Sequence, residues 1–285
     1  MSKNTDKVEL SAPLVHSALA AAMADPSLLE SWRHTPEASG RVGFASGVID
    51  IDKLWQFSGL VTKVRHNDVR LKFPLTFRLL DHAHISIELF AAYARVAAEM
   101  RDAGIKSKDQ KASAFYDFID DWLDRRTRCH ALVWDLIRHE HTLKALESSS
   151  AIPIDPTFPA QTTRRRLSTK FIPVRKSNLI IHDMGCNPLE LAAAVRTNIA
   201  AVRSLPYRKR LFAYCQVNDA GAIRVLEIDA MSSVILDLAN GRRSLSQLAT
   251  MLHQIGISAE PGQLCKPVAQ LLANGLLYAG TAPRT

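Results

Sequence analysis

RLFAYCQVNDAGAIRVLEID, residues 210–229, is the stretch on which the reading of this chain turns. Arg210 to Val217 and Ala222 to Ile228 are rich in aromatic, aliphatic and β-branched side chains. The Asn218-Asp219-Ala220-Gly221 between them is turn chemistry. Asparagine, aspartate and glycine tolerate the backbone angles of tight connections, so a β-hairpin is expected. Three short helices are expected next. The first runs from about Ala230 to Ala239 and stops at Asn240-Gly241, where glycine accepts the left-handed conformation that ends a helix. Ser244 caps the second, which carries Leu245, Leu248, Leu252 and Ile255 at helical spacing and ends at Gly256. The third runs from about Pro261 to Asn274, ends at Gly275, and leads into Leu276-Leu277-Tyr278. A hairpin followed by three helices with glycine stops reads as a winged-helix-like domain from about residue 170 onward.

Working back towards the N-terminus, Asn187-Pro188 places a cap and then a proline at a first helical position, opening a helix to about Val202. Residues 148–170 change character. Ser148-Ser149-Ser150, the prolines 153, 156 and 159, and Arg164-Arg165-Arg166 read as a solvated linker, with phosphate contact by the arginines as the alternative. Residues 9–147 read as helical almost throughout. An alanine-rich run spans Pro13 to Ala24, and Asp25-Pro26 restarts a helix. Gly40 to Gly47 breaks the pattern. Asp50 caps a run with Leu54, Trp55, Phe57, Leu60, Val61 and Val64 on one side. A further helix covers Ile85 to Arg101. Ser107 opens the longest stretch, through Phe115, Phe118, Ile119 and Trp122 to Leu146, with a break near Thr127. The fold class expected is α+β: an all-α domain over 1–150, a linker over 151–170, and a winged-helix-like domain with a small antiparallel sheet over 171–285.

The net charge of +8 is unevenly divided. Residues 1–150 hold 20 basic and 20 acidic side chains, residues 151–170 hold 4 and 1, and residues 171–285 hold 12 and 7. A neutral part joined to a basic part implies an acidic partner for the latter, either nucleic acid or peptide. Cys129, Cys186, Cys215 and Cys265 are scattered without a CxxC pair, so they read as reduced, mostly buried thiols rather than a disulfide or zinc framework. The apolar runs are too short to cross a bilayer, and MSKNTDKVEL lacks the pattern of a secretory signal, so a cytoplasmic location is expected.

No nucleophile elbow, P-loop, dinucleotide fingerprint or kinase set is present, and nothing in the sequence supplies a base and an electropositive pocket for a cysteine nucleophile. No catalytic residue is assigned. Ten histidines raise the question of metal, chiefly His82-Ala83-His84 and His139-Glu140-His141. Residues two apart on a helix point away from each other, whereas helical metal pairs use i, i+4 spacing, so neither pair is assigned as a ligand set. The geometry is looser for His82 and His84, near a helix start.

Two resemblances add to this reading. Residues 225–229 (VLEID), 235–241 (ILDLANG), 244–248 (SLSQL) and Val268 to Leu277 together resemble the PqqD-like recognition elements of enzymes that process ribosomally made peptides. The likeness covers about 70 residues. It implies that a leader peptide adds as a strand to the sheet edge at Ala222, Ile223, Arg224, Val225, Leu226 and Glu227. Its side chains would enter a groove at Gln263, Lys266, Gln270 and Asn274, with Arg224 and Lys266 suited to an acidic leader. Residues 59–68 (GLVTKVRHND), 74–80 (PLTFRLL) and 135–143 (DLIRHEHTL) resemble the partner subunits of multinuclear non-haem iron-dependent oxidative enzymes in peptide natural-product pathways. The 3-thiaglutamate pathway holds the nearer likeness, the methanobactin pathway the more distant. That resemblance implies a heterodimer whose iron lies in the other subunit, no cofactor in this chain, and delivery of a cysteine-containing peptide end for carbon excision. His66, Asn67, Asp68 and Arg70 are the expected contacts with the enzyme subunit, with capping of the next helix as the alternative for the first three.

The competing reading is a winged-helix DNA-binding regulator. Its reading helix should be rich in arginine, lysine, serine and asparagine, yet residues 261–274 hold one basic side chain, Lys266. A stand-alone metalloenzyme rests on histidine number only.

Overall fold

A computed structural model describes residues 12–24, 26–34, 50–105, 107–148, 167–216 and 222–280. Packing divides the chain into two compact units, Met1–Ile137 and Arg138–Thr285.

The first unit is helical throughout its described residues. Its elements are α1 (Ala12–Ala24), α2 (Pro26–His34), α3 (Ile51–Arg65), α4 (Asn67–Lys72), α5 (Pro74–His82), α6 (Ser86–Asp102), α7 (Lys108–Trp122) and the start of α8 (Arg128–Ser148). Local chemistry sets the boundaries. Asp50 caps α3 by accepting from the Lys53 amide at 3.1 Å, satisfying one of the orphan donors of the first turn. Pro74 opens α5, where its missing N–H costs nothing. The expected break near Thr127 lies between α7 and α8, and the expected Asp25 cap and Gly40–Gly47 breaker fall outside the described residues. Two apolar clusters hold the unit. Phe73, Phe77, Phe90, Tyr93 and Phe115 interlock with ring centroids 5.2–6.2 Å apart. Trp32, Leu29 and Ala22 pack against Leu54, Trp55 and Ala91.

The second unit is α+β. The expected hairpin strands form as β3 (Arg210–Gln216) and β4 (Ile223–Ile228), with the turn at 218–221 outside the described residues. The reading missed β1 (Pro173–Arg175), β2 (Leu179–Met184) and β5 (Leu277–Ala279). The sheet is three-stranded, antiparallel and ordered β2-β3-β4, while β1 pairs with β5. The helix expected to reach Val202 is shorter: α9 (Pro188–Thr197) ends at Asn198, whose backbone leaves the helical region, and a 3-10 segment follows over Ile199–Ser204. Then come α10 (Ala230–Leu238), α11 (Leu245–Gln254) and α12 (Cys265–Ala273). The last is four residues shorter at its start than expected, because residues 261–264 form a turn.

The expected linker needs a second correction at its C-terminal end. Carbonyls of Thr169 and Phe171 accept from the Ser246 and Leu245 amides at the start of α11, both at 3.0 Å. Leu167 and Phe171 pack on the core of α10–α12. Residues 167–170 are therefore built into the domain; residues 149–166, including Arg164–Arg166, lie outside the described residues. The three-stranded sheet is covered on both sides. Leu179, Ala213, Cys215 and Leu226 face the helices α10–α12. Met184, Phe212, Tyr214 and Val225 face Leu143 and Leu146 of α8, so the last residues of that helix belong to the second unit. No disulfide joins the four cysteines, two of them buried and two half-buried. Among the described residues, no helix is long and apolar enough to cross a membrane.

Candidate functional site

β4 has β3 on one side and no strand on the other, among the described residues. Successive residues of a strand point to opposite faces, and β4 uses both: Leu226 and Ile228 pack on the helical core, Ile223 and Val225 on the α8 cluster. Its side chains are anchored on two faces, and its outer edge has no strand paired with it among the described residues. Ala222 is exposed just before it. Glu227 is tied back to β3 by Arg210 Nη1, 3.0 Å from its Oε2.

α12 lies at the end of this edge. Arg224 Nη1 donates to the carbonyl of Asn274 at 3.2 Å, so a guanidinium from the edge strand sits on the C-terminal carbonyls of α12, where the helix dipole favours positive charge. Val268 and Leu271 are buried, whereas Lys266, Ala269, Gln270, Ala273 and Asn274 are exposed. Spacings of three and four put those exposed side chains on one helix face. Gln263 departs from the expected set. It lies in the turn before α12, and its Oε1 accepts from the Glu260 amide at 3.0 Å. Lys176 was not singled out by the sequence. It is 5% exposed, and its Nζ donates to the Gln216 carbonyl at the end of β3; burial lowers its pKa. No sequence signal distinguishes it from the neighbouring surface cations.

The four residues expected to meet an enzyme subunit are mostly turned inward. His66 ends α3 and starts α4, with its ring edge-on to Tyr93 at 5.4 Å; burial lowers its pKa against the pull of Asp68. Its side chain makes no capping bond to α4. Asp68 pairs with Lys111 of α7 at 3.3 Å. Arg70 reaches Asp81 at 3.5 Å, and Asp81 also binds Lys63 at 2.5 Å. Burial opposes ionisation of Asp81, but its hydrogen bonds and cations outweigh it and lower its pKa. Only Asn67 is exposed. Asn67 and Arg70 do line a surface depression of about 330 Å³ together with Arg78 and Leu71, the last 70% exposed.

The two histidine pairs sit in different settings. His82 ends α5, and His84 follows it in a left-handed conformation with φ 60°. His139 is buried, its Nδ1 3.1 Å from the Tyr214 hydroxyl. Across the same sheet face, His182 Nε2 lies 2.7 Å from Thr142 Oγ1. Both have pKa values lowered to about 4, chiefly by burial, with Arg196 adding to the effect at His139 and Arg138 at His182. Among the described residues no three His, Cys, Asp or Glu side chains group as a metal site. What the second unit presents is an open strand edge tied by Arg224 to the C-terminal end of α12, whose exposed face carries Lys266, Gln270 and Asn274. No family model matches the sequence, and neither does any curated protein.

Proposed function

We propose that this chain is a non-catalytic, cytoplasmic partner subunit that binds the leader of a ribosomally made precursor peptide. It would present the peptide's cysteine-containing end to an iron-dependent oxidative enzyme subunit, with carbon excision from a C-terminal cysteine as the outcome to test. The observation that carries the reading is the free edge of β4, joined by Arg224 to the C-terminus of α12. In the PqqD-like reading, a peptide lying along β4 gains affinity from backbone hydrogen bonds, and side-chain contacts beside it give selectivity. Lys266, Gln270 and Asn274 are exposed for that purpose, and a single lysine among them suits an acidic peptide better than base edges in a DNA groove. In the helical unit, the depression at Asn67 and Arg70, flanked by exposed Leu71, is the proposed contact with the enzyme subunit.

The test titrates the protein with a fluorescent leader peptide taken from a precursor encoded beside its gene, and in parallel with a DNA duplex. Micromolar binding of the peptide is expected, weakened at least about tenfold by Lys266→Glu combined with Gln270→Glu, substitutions at exposed positions that leave the core intact. Peptide affinity unchanged by that pair would remove the groove. DNA binding that falls steeply with salt, without peptide binding, would establish the regulator reading instead.

A further inference from the structure

The helical unit contains a cavity of about 310 Å³ that the proposed peptide and enzyme contacts do not use. α3 supplies its polar wall through Ser58, Thr62 and His66, four residues apart and therefore on one helix face. α6 supplies an apolar wall through Ala94, Ala97 and Ala98, whose small side chains leave the space open, and Met23 of α1 and Ile105 extend it. Three cations line its margin: Arg65, Arg101 and Lys111. Among the described residues, no carboxylate lines it. Lys111 is shared with Asp68, and among the described residues Arg101 pairs loosely with Asp102 at 3.6 Å, both side chains well exposed. Arg65 is exposed at the mouth.

We propose that this cavity binds a compact amphipathic carboxylate, its apolar body against the α6 alanines and its acid group towards Arg65. Apolar walls with a few convergent polar groups are the usual form of a small-ligand site. At about 310 Å³ the cavity lies at the small end of the roughly 300–1,000 Å³ usual for ligand pockets, which suits a compact acid. Guanidinium groups bind carboxylates through paired donors, and burial strengthens such a contact. The acid has two sources, a free short-chain acid or the C-terminal residue of a peptide, and both present the same chemistry.

Calorimetric titration of the full chain with hexanoate and N-acetyl-leucine, each beside its neutral amide, tests the proposal and separates the sources. Saturable binding of an acid is expected at about 1 mM or below, with the matching amide at least tenfold weaker. Preference for hexanoate identifies the free acid; preference for N-acetyl-leucine identifies a chain terminus. Arg65→Glu, at an exposed position, is expected to weaken binding at least tenfold with the helical circular dichroism unchanged. Ala98→Phe, which fills the space, is expected to abolish it. Failure of both acids to bind, equal binding of the amides, or full affinity in Arg65→Glu would each overturn the assignment.

Discussion

Gly59 shows how much a single residue contributes to the helical unit. A Cβ there would lie 2.3 Å from the Ile87 carbonyl oxygen and 3.1 Å from Ala91 Cβ. The obstacle is backbone, so α3 and α6 would have to separate for any side chain to fit. The glycine serves close approach rather than unusual backbone angles. Gly59→Ala therefore sets two effects against each other: alanine gains about 1 kcal/mol of helix propensity, and overpacking costs about 1–3 kcal/mol in a tight core. We expect net destabilisation, read as a lower urea midpoint of the helical signal; a midpoint equal to or above the parent would show that the helices part freely. Nothing in one dimension marks Gly59, because its neighbours Leu54, Trp55 and Leu60 read simply as one amphipathic helix. The same holds at Asp68 and Arg70. The resemblance sets both at the contact with the enzyme subunit, but Lys111 and Asp81, 43 and 11 residues away, draw them into ion pairs.

At the scale of elements, what is local in sequence was legible. Asp50, Asn187 and Ser244 all cap the helices they precede, Ser244 in a reciprocal box with Gln247. Gly241, Gly256 and Gly275 each take positive φ after a helix, as glycine stops should. What depends on distant partners was not legible. β1 and β5 are three residues each and exist because Val174 meets Tyr278 across the whole domain. β2 has the sequence LIIHDM, whose alternation gives no signal until Ile181 is set beside Ala213 and His182 beside Phe212. The candidate peptide edge was readable as a strand from its residues, and as an edge only through the PqqD-like resemblance. One local device matters there. Asp229 Oδ1 accepts from the Ser232 amide at 2.6 Å, fixing the corner at which β4 turns into α10. Asp229→Ala is expected to lower stability by about 1 kcal/mol, within the 0.5–2 kcal/mol seen for such caps, as measured by chemical denaturation. A loss near zero would mean that the corner is held by Met231 and Ile228 packing alone.

For the molecule as a whole, the second unit has a built-in dependence on pH. His139 and His182 flank Tyr214 on the sheet face covered by α8, with ring centroids 5.7 Å from it on either side. His139 is 2% exposed. Both histidines are held neutral, with pKa values lowered to about 4 from 6.5, burial being the largest cause. In the unfolded chain they would titrate near 6.5 and take up protons that the folded chain refuses. A base with a depressed folded pKa contributes stability that is complete above pH 6.5 and falls as pH drops from there towards about 4. At pH 5 the loss is roughly 2 kcal/mol from buried His139 and less from half-buried His182, taking 1.36 kcal/mol per pKa unit. Asp183, beside His182, has its pKa lowered by Lys209 and Arg138 against burial, so its contribution disappears at lower pH than theirs. We therefore expect the urea midpoint of the sheet-bearing unit to fall steadily from pH 7 to pH 5. The imidazole resonances of His139 and His182 should show no titration above about pH 5. His139→Gln, which keeps a polar group opposite the Tyr214 hydroxyl but cannot be protonated, should lose the larger share of the pH dependence. Midpoints that coincide at pH 7 and pH 5, with both imidazoles titrating near 6.5, would mean that α8 does not seal this face of the sheet.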